Sequence, residues 1–310
     1  MIALEILGLA KSYPVGFWRK SLKPALQPLH LTVEEGETFG FLGPNGAGKT
    51  TTLKLLMGII FPTSGSARIL GHDLYDPAVK RKLGFLPEQP YFYDYLSASE
   101  LLHYYAQLSG VSAADRQERV PALLERVGLA DAGGKQLRKF SKGMLQRVGI
   151  AQAVIHDPRI IFLDEPMSGL DPVGRRDIRE LIQELKSEGK TIFFSTHILS
   201  DAEALCDRVA VIHKGELRGI GVVEDLKSKT ADQAEVVWQG AHALERVATM
   251  LLKTHVTGDT VRGVISCQDA DRLLEQLRQQ QAKLISFAPL HGGLEDYFVA
   301  HTSDPEGVKA

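Results

Sequence analysis

The chain has 310 residues, 44% of them hydrophobic and 24% charged, with a net charge of -2. That supplies enough apolar material for a full core and enough length for one large domain plus a smaller one. Interspersed charges of both signs exclude the basic footprint of a nucleic-acid binder, and no stretch approaches the roughly 18 to 20 apolar residues needed to cross a bilayer.

Only Cys206 and Cys267 are present, at no metal-ligand spacing, and the N-terminus has no charged start followed by a long apolar segment. Both features point to a cytoplasmic location with reduced thiols. From Val15 to Pro24 the chain is basic and aromatic, which reads as a surface hairpin with solvated lysines. Contact with lipid head groups or a membrane subunit is the alternative.

The apolar run Thr38–Leu42 then leads into Gly43-Pro44-Asn45-Gly46-Ala47-Gly48-Lys49-Thr50, followed by Thr51 and a helical pattern. This is a GxxxxGK[ST] phosphate loop between strand and helix. Gly43, Gly46 and Gly48 supply the positive φ angles and close approach that let backbone N–H groups wrap a polyphosphate. Lys49 adds a charge near the β and γ groups, and the Thr50 hydroxyl is placed to ligate Mg²⁺.

Residues 91 to 155 read as a helical insertion in a strand-rich core. Ser97-Ala98-Ser99-Glu100 is a capping box, with Leu101, Tyr104/Tyr105 and Leu108 at helical spacing behind it. Ser141 is the N-cap of a later helix and can aim its hydroxyl and free N–H groups at an anion. Arg159–Leu163 reads as a buried parallel strand ending in Asp164-Glu165-Pro166, where α/β sheets place their ligands. In a phosphate-loop enzyme Asp164 holds the Mg²⁺ shell and Glu165 polarises the attacking water. Lys190–Thr196 is a further buried strand and delivers His197 at its end.

The order GPNGAGKTT, FSKGMLQR at 140 to 147, IIFLDEP at 160 to 166, SGLD at 168 to 171 and STH at 195 to 197 resembles an ABC-type ATPase cassette over residues 1 to about 220. The resemblance implies an α/β phosphate-loop NTPase: a mixed-sheet core with a helical subdomain at about 91–155, bound to ATP and Mg²⁺. It implies that Ser141 and Gly143 reach the γ-phosphate held by a second copy, giving a homodimer with two composite ATP sites. It also implies that His197 holds the γ-phosphate and the Glu165 base together, and that Tyr13 stacks on adenine. In Pro87-Glu88-Gln89 either Glu88 or Gln89 fills the family's Q-loop role at the Mg²⁺ or water network, with Gln89 preferred because an amide donates as well as accepts.

Where most cassettes read Gly-Gln, the signature here has Lys142 before the glycine and Met144 after it. Such Ser-Lys-Gly-Met strings resemble those of export subunits whose permease is a separate chain, and so does the Leu-Glu-Asp start of a closing helix at Leu294–Val299. The implied role is ATP hydrolysis coupled to export through that permease, at the inner face of the cell membrane. The aromatics Tyr91, Phe92, Tyr93 and Tyr95 then either pack the subdomain or form the groove for a coupling helix. A soluble ABC ATPase acting on ribosomes or DNA is the alternative. Its usual marks, two cassettes with a charged linker or a long coiled coil within the cassette, are missing.

Residues 221 to 310 read as a small accessory α+β domain. The expected order is strand 235–238, helix 241–253, hairpin 254–266 turning near Gly258-Asp259, helix 269–281 and strand 283–289, a βαββαβ ferredoxin-like arrangement. Nothing in it suggests catalysis.

Overall fold

The computed structural model describes residues 1–16, 21–228 and 233–290, together with Leu294, Tyr297, Phe298 and Thr302. The chain forms two units that divide between Gly221 and Val222. In the first, the elements are β1 (Ile2–Val15), β2 (Ser21–Glu34), β3 (Thr38–Leu42), α1 (Lys49–Leu56), β4 (Ser64–Ile69), β5 (His72–Asp73), α2 (Pro77–Lys80), β6 (Leu83–Leu86), α3 (Ala98–Leu108), α4 (Ala113–Arg126), α5 (Lys142–Val154), β7 (Ile160–Asp164), α6 (Pro172–Ser187), β8 (Thr191–Thr196), α7 (Leu199–Leu205), β9 (Arg208–His213) and β10 (Glu216–Val222).

Strands β3, β7 and β8 are buried along their whole length. This is why they read as continuous apolar runs rather than alternating ones. They lie in a six-stranded sheet of order β10-β9-β3-β8-β7-β6, in which β9, β3, β8, β7 and β6 pair in parallel. A second sheet, β2-β1-β4-β5, is antiparallel. Leu4, Ile6 and Leu29 of that sheet share one hydrophobic cluster with Phe39, Phe41, Phe162 and Phe193 of the first. Each such ring, fully buried, contributes about 1.5–3 kcal/mol. The first unit thus packs a sheet built on parallel pairs against a separate antiparallel one.

Local signals set the helix starts. Ser97 Oγ accepts from the Glu100 N–H at 3.2 Å while the Glu100 carboxylate accepts from the Ser97 N–H at 2.8 Å, completing the capping box of α3. Ser112, Ser141 and Asp171 cap α4, α5 and α6, and Pro172 opens α6. The segment between 91 and 155 is accordingly three α-helices, α3 to α5.

The second unit contains α8 (Val223–Ser228), β11 (Gln233–Gln239), α9 (Leu244–Val247), β12 (Leu251–Thr257), β13 (Thr260–Ser266), α10 (Ala270–Gln279) and β14 (Lys283–Leu290). The sheet order is β12-β13-β11-β14 with every pair antiparallel. Trp238, Val236, Val261 and Ile265 pack with Leu273 and Leu277 of α10. The helix expected over 241–253 is corrected: 3-10 turns flank the four-residue α9, and the chain is already strand at Leu251, which pairs with Ile265. Strand pairing overrides a weak helical preference here. Of the closing helix expected at Leu294–Val299, all but Leu294, Tyr297 and Phe298 lies outside the described residues, as does the Phe17–Lys20 portion of the basic insertion.

Candidate nucleotide site

The phosphate loop links the end of β3 to the start of α1. Gly46 and Gly48 take φ of 79° and 111°, the left-handed region that glycine enters without strain. Gly43 serves differently from its expected positive φ. A Cβ there would lie 2.4 Å from the Ile212 carbonyl oxygen, so the need is for close approach to β9. The loop is braced by its own backbone, with Ala47 N–H donating to Pro44 O at 3.2 Å and Gly215 N–H to Ala47 O at 2.8 Å. Asn45, Gly46, Gly48, Lys49, Thr50 and Thr51 line a cavity of about 250 Å³ that Ala25, Glu88 and Glu165 complete.

Lys49 Nζ donates to Gly43 O at 2.6 Å and Pro44 O at 3.2 Å and sits 3.0 Å from Glu165 Oε1, both side chains being 6% exposed. Glu165 in turn places Oε2 2.9 Å from His197 Nδ1. Its φ is 50°, a left-handed conformation that costs a non-glycine residue of order 1–3 kcal/mol. The Glu165 N–H offsets this by donating to both Ser195 Oγ at 3.1 Å and Ser195 O at 3.2 Å. The same Ser195 hydroxyl donates to Asp164 Oδ1 at 2.6 Å. One serine on β8 therefore fixes both acidic residues at the end of β7, opposite it in the parallel register Asp164↔Ser195.

Burial holds the Asp164 carboxyl above the usual carboxylate range, with the Glu165 charge adding to this and hydrogen bonds from Ser195 and Thr50 and the Lys49 charge opposing it. A buried carboxyl, a threonine hydroxyl beside it and a second carboxylate form a set of hard oxygen donors.

Gln89 lines an adjoining cavity of about 470 Å³ with Thr50 and Asp164, and Glu88 lines both cavities. Gln89 Oε1 accepts from the Tyr91 hydroxyl at 3.2 Å. Tyr13, Ser141 and Gly143 are not among the residues lining the phosphate cavity, and neither are Gly43, Pro44, Ala47, Gln89, Asp164 and His197. Tyr13 is on β1 opposite Lys23, with Lys11 Nζ 5.1 Å from its ring centre. Ser141 Oγ accepts from the Met144 N–H at 3.3 Å. Ser195 stands within STH in the sequence reading but is given no role there, since a hydroxyl in a buried strand that also carries Thr191 and Thr196 does not single it out.

A family model described as ABC transporter matches residues 26–168. The chain is 45% identical over 298 residues to an ABC transporter ATP-binding protein of Synechocystis sp., across 96% of this chain and 83% of the relative. It is 33% identical over 296 residues to a daunorubicin resistance ATP-binding protein of Streptomyces coeruleorubidus, across 93% of this chain and 94% of the relative. Among solved structures it is similar to the dimeric post-hydrolysis state of an ATP-binding cassette bound to ADP and Pi, with a TM-score of 0.65, 26% identity, and coverage of 71% of this chain and 98% of that one. A phosphate loop, an adjoining carboxylate pair and a likeness that runs nearly from end to end lead to one conclusion: the chain belongs to the ABC transporter family, as an ATP-binding subunit that hydrolyses ATP.

Proposed function

We propose that two copies of this chain bind ATP between them and drive export through a separate membrane permease at the inner face of the membrane. The observation that carries the dimer is the location of Ser141. It caps α5 and is not among the residues lining the cavity of Lys49 and Glu165, and a helix N-terminus of this kind suits the nucleotide of a second copy.

In each composite site the phosphate loop and Lys49 bind the β- and γ-phosphates, Tyr13 stacks on adenine, and Ser141 and Gly143 close over the γ-phosphate. Glu165 accepts a proton from the attacking water, and His197 holds that carboxylate in place at the γ-phosphate. Thr50, Asp164 and Gln89 would hold Mg²⁺. The raised Asp164 carboxyl and the Thr50 hydroxyl bonded to it suit a divalent cation, because its charge offsets burial. When bound, the ion neutralises charge on the phosphates.

Export is supported by the Ser-Lys-Gly-Met signature and by the drug-resistance relative. A cleft of about 810 Å³, lined by Tyr91, Phe92, Tyr105 and Leu108 with Lys80 and Arg81 at one side, suits a docking helix from the permease, since Tyr91 is 89% exposed there. Among the described residues no helix is long and apolar enough to cross a membrane.

The test is capture of the tagged full chain from its own cells in mild detergent, followed by mass spectrometry. A polytopic membrane protein at near-equal stoichiometry is expected. Ribosomal or DNA-repair proteins in its place would favour a soluble ATPase.

A further inference from the structure

An ion pair ties helix α6 to helix α7. Helix α6 begins after Asp171, the last residue of the Ser168–Asp171 segment, and α7 begins shortly after His197. Asp201 in the first turn of α7 is fully buried. Arg179 of α6 donates to its Oδ1 from Nε at 3.0 Å and from Nη2 at 2.5 Å.

Packing alone does not require this pair. Ile178, Leu181 and Ile182 of α6 and Ala202 and Leu205 of α7 are already buried, and apolar residues hold helices together without desolvating a carboxylate. What the pair adds is direction, because both donors of a planar guanidinium converge on one oxygen and so restrict rotation of the first turn of α7. His197 needs that restraint. It is 40% exposed and bonds through Nδ1 to Glu165 Oε2, with no second hydrogen bond to its ring among the described residues. Its backbone is held by the Ile198 N–H donating to Thr196 Oγ1 at 3.0 Å on one side and by α7 on the other.

We infer that Arg179 and Asp201 are positioning residues for hydrolysis, a strut from α6 to α7 that sets the His197 ring against Glu165. The inference rests on the proposed roles of His197 and Glu165. It also links the Ser168–Asp171 segment to the histidine, so a displacement of α6 is transmitted to Glu165 through this ion pair.

The experiment measures ATP turnover, ATP affinity and melting temperature of the full chain carrying Arg179→Ala, the near-isosteric Asp201→Asn, Arg179→Lys, His197→Ala, and the Arg179→Ala/His197→Ala pair. Arg179→Ala and Asp201→Asn are expected to lower kcat about tenfold with KM and ATP affinity within about twofold, Arg179→Lys to recover part of the loss, and the double variant to be no slower than His197→Ala. Losses that multiply in the double variant would assign Arg179 a role independent of the histidine and overturn the inference. So would normal kcat in both Arg179→Ala and Asp201→Asn beside a slow His197→Ala. A His197→Ala variant with full turnover would overturn the underlying reading of the site instead.

Discussion

Lys49 and Glu165 form a buried ion pair, Nζ to Oε1 at 3.0 Å, across the mouth of the phosphate loop. The cation assigned to phosphate and the carboxylate assigned to water therefore compete for each other. To reach a phosphate, Lys49 exchanges this partner and the Gly43 and Pro44 carbonyls, which reduces the net gain of binding. Glu165→Gln removes the competing charge while keeping the shape. We expect steady-state hydrolysis to fall by about 100-fold or more and ATP affinity to rise several-fold, with the closed dimer accumulating. Lys49→Ala is expected to weaken nucleotide binding at least about tenfold. Phosphate release and titration with a fluorescent ATP analogue check both, and full turnover in Glu165→Gln would refute the base assignment.

Asp164 gives a pH signature. Its carboxyl titrates above its ordinary 3.8 in the folded chain, chiefly through burial. Between 3.8 and the raised folded value the native state holds more protons than the unfolded one, so stability falls as pH rises through that window and stays lowered above it. Asp164→Asn removes the penalty and keeps an oxygen for the Ser195 hydroxyl. The variant should melt about 2 °C higher at neutral pH and lose its advantage in acid below the ordinary carboxylate range. It should also gain little stabilisation from magnesium and ATP together. Thermal melts across pH settle the matter; a variant that melts lower at neutral pH contradicts the account.

Ser195→Ala probes what the linear sequence hid. Its hydroxyl serves Asp164 Oδ1 and the Glu165 N–H together, so its loss is expected to cost about 1–3 kcal/mol and to lower kcat several-fold through a loosened Glu165. The phosphate loop and the strand ending in Asp164-Glu165 were legible because their geometry is local: glycine spacing, a buried run, a capping residue. Helix starts at Ser97 and Ser141 were legible for the same reason. Ser195 gains its role from a parallel register that brings it opposite Asp164, and Arg179 meets Asp201 only once α6 and α7 pack. Neither follows from spacing. The misread helix over 241–253 has the same origin, because Leu251 is strand through its pairing with Ile265 rather than through its own preference. A turnover for Ser195→Ala equal to that of the parent would show that Glu165 holds its left-handed turn without the hydroxyl.

Tyr91 joins the proposed docking cleft to the nucleotide site, since its exposed ring lines the cleft while its hydroxyl donates to Gln89. The two halves of the side chain are separable. Tyr91→Ser, alone or with Tyr95→Ser, is expected to weaken co-purification of the membrane partner several-fold while leaving ATP affinity unchanged. Tyr91→Phe keeps the ring and should keep the association. Capture yields measured against the parent chain decide it, and unchanged yield in the serine variants would remove these rings from the interface.

The second unit offers a test of whether it is accessory. Trp238 is fully buried at the centre of its core, and truncation of such a side chain costs about 3–5 kcal/mol. A domain of this size has only about 5 kcal/mol in total, so Trp238→Ala should unfold Val222–Ala300. Every residue assigned to ATP chemistry lies before Gly221, in the other unit. Hydrolysis by Trp238→Ala should accordingly stay within about twofold of the parent, while limited proteolysis cuts rapidly after Val222 and one calorimetric transition disappears. Trp238→Phe should retain the fold. If turnover collapses in Trp238→Ala but survives in Trp238→Phe, the second unit takes part in the catalytic cycle, and its role is regulatory rather than passive.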